Sequence, residues 1–101
     1  MTITRIDDEG TVTLKAEGWL DTASASVLGD ALEAVEKADT LVLDFEKVEY
    51  MASAGLRQVI AASKKAKELG ADFRVINTDA AVMNIFCMTG IDQKLDIQPL
   101  E

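Results

Sequence analysis

The chain has 101 residues with 18 acids against 10 bases, no histidine, one cysteine and a formal charge of −8. That length suits a single domain spanning residues 1–101, and an apolar share of 49% is enough to build its core. Without histidine there is no Ser-His-Asp or Cys-His catalytic unit and no His-ligated metal, and one thiol cannot build a zinc cage, so neither a catalytic residue nor a metal or cofactor is expected.

The acidic balance argues against nucleic acid and against docking on an anionic membrane, and favours a protein partner with a basic face. No run approaches the roughly 18 apolar residues needed to cross a bilayer. The segment Met1–Glu9 lacks the basic head and apolar stretch of a secretion signal, so a cytoplasmic location is expected. Cys87 sits in the apolar run Ile85–Met88 and reads as a buried, inert thiol.

In chain order, Ile3–Asp7 reads as an edge strand and Thr11–Ala16 as a half-buried strand with Val12, Leu14 and Ala16 on one face. Asp8-Glu9-Gly10 between them is a turn, so the pair is a hairpin. After Gly18-Trp19-Leu20 the period becomes helical. Asp21 or Thr22 can cap a helix predicted over Thr22–Lys37, with Leu28, Ala31, Leu32 and Val35 on its buried face. Thr40–Phe45 is a nearly continuous apolar run, as in a strand covered on both faces.

A loop is expected after Phe45, and a second helix from Ser53 to Leu69. Its predicted buried face is Leu56, Val59, Ile60, Ser63 and Ala66, and Gly70 is its left-handed terminator. Asp72–Ile76 is a strand. Thr78 or Asp79 caps a third helix through Met88, with Val82, Ile85 and Phe86 buried and Gly90 ending it. Leu95–Ile97 is a last strand. Strands alternating with helices imply crossover connections and a largely parallel sheet, with the opening hairpin as an antiparallel edge. The expected architecture is a central mixed sheet with three or four helices.

The informative stretch is Val48–Arg57, where a strand end meets a helix start made of small residues. Helix starts carry free N–H groups and partial positive charge, so a hydroxyl there lies at a natural anion position. Read from spacing alone, Ser53 is first a capping residue, and Ala52, Ala54 and Gly55 are small to let a helix pack closely. Met51–Gly55 also approaches the G-x-S-x-G elbow of hydrolases, but Met51 replaces the first glycine and no histidine base exists.

Four segments, in order, resemble the STAS domain family, in particular bacterial anti-sigma factor antagonists. Gly18-Trp19-Leu20-Asp21-Thr22-Ala23 is similar to the family's G-x-L-D-x-x-T-A segment, with the Thr-Ala pair two residues early. Leu41–Phe45 is similar to its central strand. Tyr50–Arg57 is similar to its D-S-[ST]-G-L signature and to the S-S-A-G-L-R form, and Val82–Ile91 to its last helix and turn.

The resemblance implies a partner switch. The unmodified antagonist binds an anti-sigma factor that is also a serine kinase, phosphorylation at Ser53 ends the binding, and a phosphatase restores it. The implied contact surface is Asp21 with Met51, Ala52, Ser53, Ala54, Gly55 and Leu56. Trp19 and Tyr50 are either anchors of that surface or core residues. The chain is expected to be a monomer or weak dimer. One departure stands out: the family's aspartate before the serine is Ala52 here. The alternative implied by the same resemblance is a non-phosphorylated interaction subunit of a transport or stress-signalling complex.

Overall fold

Glu9 and Gly10 both take positive φ, 48° and 85°, and close a two-residue hairpin turn. They join strand β1 (Thr2–Asp8) to β2 (Thr11–Leu20), paired antiparallel from Thr2↔Glu17 to Asp8↔Thr11. This computed structural model describes residues 1–100. Helix α1 (Ala25–Glu33), strand β3 (Thr40–Met51), helix α2 (Ser53–Leu69), strand β4 (Asp72–Thr78), helix α3 (Ala80–Thr89), a 3-10 turn (Ile91–Gln93) and strand β5 (Ile97–Pro99) follow. The five strands lie side by side in chain order, and every pair after the hairpin is parallel.

A parallel sheet laid down in sequence order by crossovers of one hand receives all its helices on one face. The buried residues agree. Leu14, Leu20, Leu43, Phe45 and Val75 of the strands form one cluster with Leu28 of α1, Val59 of α2 and Phe86 of α3. Val42 is buried yet lies outside that cluster, on the other face of the sheet, beside Thr13 and Arg74.

Several expectations about elements need correction. The first helix is shorter than Thr22–Lys37. Its opening residues form a hydrogen-bonded turn, and beyond Ala34 the chain leaves the helix while Val35 and Ala38 stay buried. The strands β2 and β3 are longer than Thr11–Ala16 and Thr40–Phe45. They pair out to Leu20↔Met51, so the loop expected after Phe45 is sheet. Register shifts between Lys15 and Glu17 and between Gly18 and Trp19 displace the inward positions of β3 to Phe45, Val48 and Met51.

The buried face of α2 is Gly55, Val59, Ala62 and Ala66. Ile60, placed inside from its hydropathy, is 38% exposed. Small side chains let α2 lie close to the sheet, and closeness of approach decides the face here. The last strand begins at Ile97, two residues later than expected. Gly70 and Gly90 do end their helices in the left-handed conformation, and Asp79 caps α3 by accepting from the Val82 N–H at 2.9 Å.

Cys87 is exposed on α3. The burial expected of it is not found; desolvation, and then the carboxylate of Asp92, which accepts from Sγ at 3.5 Å, push the thiol pKa up.

Candidate docking site at the ends of the central strands

Two helix starts meet where β2 and β3 end. Leu20 and Met51 are register partners, and the Leu20 carbonyl accepts from the Ala52 N–H at 2.9 Å. That bond ties the Asp21 corner to the Ser53 corner. Gly55 makes the approach feasible. A Cβ there would lie 2.5 Å from Leu20 Cγ and 2.8 Å from the Leu20 carbonyl oxygen. Glycine is therefore demanded by proximity, with no unusual backbone angle involved.

The Asp21 corner is locked. Asp21 Oδ1 accepts from the Ser24 N–H at 3.0 Å and from the Ser24 hydroxyl at 2.9 Å, while Ser24 Oγ accepts from the Asp21 N–H at 2.9 Å. This is the reciprocal bonding of a capping box, three residues apart. The Ser24 hydroxyl also reaches the Trp19 carbonyl at 2.6 Å. Donation from the Ser24 N–H first, and from its hydroxyl second, holds the Asp21 carboxyl below the usual carboxylate range, so it stays ionised.

The Ser53 corner is open. Ala52 occupies the cap position, with extended backbone at φ −92° and ψ 175°, and no side chain caps the helix. Ser53 is the first helical residue and is exposed. The capping role that spacing suggested for Ser53 is therefore not what it does. Its hydroxyl enters none of the side-chain hydrogen bonds among the described residues.

Of the expected contact residues, Asp21, Ala52, Ala54 and Leu56 are partly exposed and Ser53 fully so. Met51 and Gly55 are buried, Met51 at 2% exposure within the core cluster. Neither offers a side chain to a partner, and both support the surface from beneath. Alternation along the strand explains Met51, since the outward position at this strand end belongs to Tyr50.

Trp19 and Tyr50 resolve in favour of the surface. They are register partners and point away from the core, with ring centroids 5.4 Å apart and planes tilted by 51°. Glu49 Oε2 accepts from the indole N–H at 3.3 Å. Sequence reasoning missed Glu49 and Ser24. The spacing Asp-x-x-Ser was a readable signal for the second; nothing local announced the first.

The family model for the Mlab-type STAS domain matches residues 4–99. The chain belongs to the STAS domain family. Among solved structures, this STAS domain is similar to an anti-sigma factor antagonist from Mycobacterium paratuberculosis. That match has 27% identity and a TM-score of 0.88 over 97% of this chain and 85% of that one. It is also similar in fold to a putative anti-sigma factor antagonist from Thermotoga maritima, with 16% identity and a TM-score of 0.86 over 95% and 85%. A sulfate transporter family protein from Wolinella succinogenes shares the fold too, with 12% identity and a TM-score of 0.80 over 92% and 80%. No curated protein matches the sequence. Among the described residues, no helix of this STAS domain is long and apolar enough to cross a membrane.

Proposed function

We propose that this STAS domain is a regulatory protein-binding module, an anti-sigma factor antagonist switched off by phosphorylation at Ser53. The observation that carries the reading is the free, exposed hydroxyl at the first position of α2. A residue needed as a cap could not be modified without loosening its helix. This one makes no structural bond, so a kinase can modify it at little cost to the fold.

The physics of the switch follows from position. Phosphorylation adds about −1.5 to −2 charge and three acceptor oxygens. The N-terminus of α2 tolerates an anion, through its free N–H groups and its dipole. The fold therefore survives while the docking surface changes in bulk and charge, and binding is lost through crowding and mismatch. The ionised Asp21 at the neighbouring corner adds to the negative field. The partners under this reading are an anti-sigma factor with serine kinase activity and a phosphatase.

The competing reading is a non-phosphorylated interaction subunit of a transport or stress-signalling complex. Ala52 favours it, because the carboxylate that the family places before the serine is missing.

Calorimetric titration of the purified anti-sigma factor kinase from the same genome separates the two. Tight binding by wild type, at least tenfold weaker binding by Ser53→Glu, and an ATP-dependent mass increase on Ser53 are expected. Equal binding by both proteins, with Ser53 unmodified after incubation with kinase and ATP, refutes the switch.

A further inference from the structure

We propose that Trp19, Tyr50 and Glu49 form a preorganised clamp for an arginine side chain of the protein partner. The inference rests on the docking reading above and names the chemistry of the group that docks.

The first argument is exposure. Trp19 is 58% exposed and Tyr50 47%, whereas Phe45 and Phe86 are fully buried. These are the chain's one tryptophan and one tyrosine, and they stand side by side on neighbouring strands. Aromatics of this kind are the residues on which binding energy concentrates at interfaces.

The second argument is order. The indole is held by its neighbour Tyr50 and by the bond to Glu49. A side chain already fixed in the free protein loses little freedom on binding.

The third argument is charge. Lys47 pairs with Glu17 at 3.6 Å on the adjoining strands, so that carboxylate is met. Glu49 takes part in none of the three ion pairs among the described residues. One of its oxygens accepts from the indole N–H and the other is free. Two aromatic rings beside an unmatched carboxylate are a recognition set for a guanidinium, which stacks on a ring and pairs with a carboxylate in one pose. A lysine ammonium fits less well, since it cannot stack in a plane.

The surrounding field agrees. A chain of net charge −8 attracts a basic partner from a distance, and the clamp gives that attraction an end point. The clamp is also continuous with the site already described. Tyr50 lies three residues before Ser53, and the Trp19 carbonyl accepts from Ser24 of the Asp21 corner. A partner covering Ser53 would meet both rings.

Trp19 itself is the reporter, because it is the sole tryptophan. The probe is the N-acetylated, C-amidated tetrapeptide of arginine, with the citrulline tetrapeptide blocked in the same way as an uncharged, isosteric control. The arginine peptide is expected to change Trp19 emission saturably, with a midpoint about tenfold higher in Tyr50→Ala and in Glu49→Gln, a typical interface truncation effect. An equal response to the citrulline peptide, or unchanged midpoints in both variants, overturns the clamp. Circular dichroism melts of both variants establish that they fold.

A second arm uses the anti-sigma factor titration. Trp19→Ala/Tyr50→Ala is expected to bind at least about tenfold more weakly than wild type, with Trp19→Phe intermediate. If the double variant binds like wild type while Ser53→Glu does not, the clamp fails and the functional reading stands. If wild type does not bind the anti-sigma factor but the arginine peptide still reports through Trp19, the functional reading fails and the clamp stands.

Discussion

The first and second helices begin side by side at one end of the sheet, and they begin differently. In the turn that leads into α1, Asp21 and Ser24 satisfy each other's backbone N–H groups and a third bond returns to Trp19. At the start of α2, Ala52 offers no side-chain acceptor and the Ser53 hydroxyl has no partner among the described residues. α3 is capped by Asp79, whose side chain accepts from the Val82 N–H. A helix start left without a cap forgoes about 1 kcal/mol. α2 sustains that loss because its small-residue face presses against the sheet, where packing supplies most of a helix's stability. Packing beneath thus frees the residue above from a structural duty.

The strongest way to break that comparison is to remove the packing. In Gly55→Ala the new methyl group meets the Leu20 side chain and, more seriously, its carbonyl oxygen, which can yield only if the helix moves. Alanine regains about 1 kcal/mol of helix propensity, while overpacking costs up to about 3 kcal/mol, for a net loss of about 2 kcal/mol. For a domain of this size that lowers Tm by roughly 10 °C. A thermal melt unchanged from wild type would mean that α2 does not depend on its close seat.

The next effect is smaller and depends on pH. The Asp21 carboxyl is held below its ordinary range in the folded protein, so the folded state favours the ionised form. The stability this brings is fully present above the unfolded carboxylate pKa of about 4 and is lost as pH falls through the depressed folded value. Asp7, lowered by its bond from Arg5, acts in the same direction. Asp21→Asn keeps an acceptor for Ser24 but cannot titrate. Its melting temperature is expected to fall less steeply than that of wild type below about pH 4. Parallel acid profiles for the two proteins would remove the ionised carboxylate from the account of the locked corner.

The parts of this fold that follow one strict period were legible from the residues. Val12, Leu14 and Ala16 alternate and are buried; Gly70 and Gly90 stop helices as their lack of a Cβ allows; Asp79 caps as its short acceptor predicts. The end of β3 was hidden because two register shifts against β2 space its inward residues three apart, at Phe45, Val48 and Met51. That spacing does not look like a strand. The same hidden extension concealed the meeting of Trp19 with Tyr50, which exists only because both strands run on. The buried face of α2 was misassigned because hydropathy ranks Ile60 above Gly55, while a helix lying close to a sheet ranks them by size. At the site, Ser53 was visible as a hydroxyl among small residues near a helix start. Its displacement by one position, from cap to first helical residue, was not, since nothing marks an alanine as a cap.

That one-position displacement sets the smallest expected effects. Ala52→Asp places an acceptor where the extended backbone already has cap geometry, and should stabilise the domain by about 1 kcal/mol. Ser53→Ala removes a hydroxyl that bonds to nothing, so its stability should lie within about 0.5 kcal/mol of wild type. Ser53→Glu adds a negative charge at a helix N-terminus and should be neutral or stabilising by about 0.5 kcal/mol. Chemical denaturation of the three variants checks all of these, with urea midpoints in the order Ala52→Asp, Ser53→Glu, Ser53→Ala. A loss above about 1.5 kcal/mol in Ser53→Ala would show the hydroxyl acting as a hidden cap. The two helix starts would then be alike, and a phosphate on Ser53 would act by loosening α2. With Ser53→Glu stable, any loss of partner binding it causes has to arise at the surface.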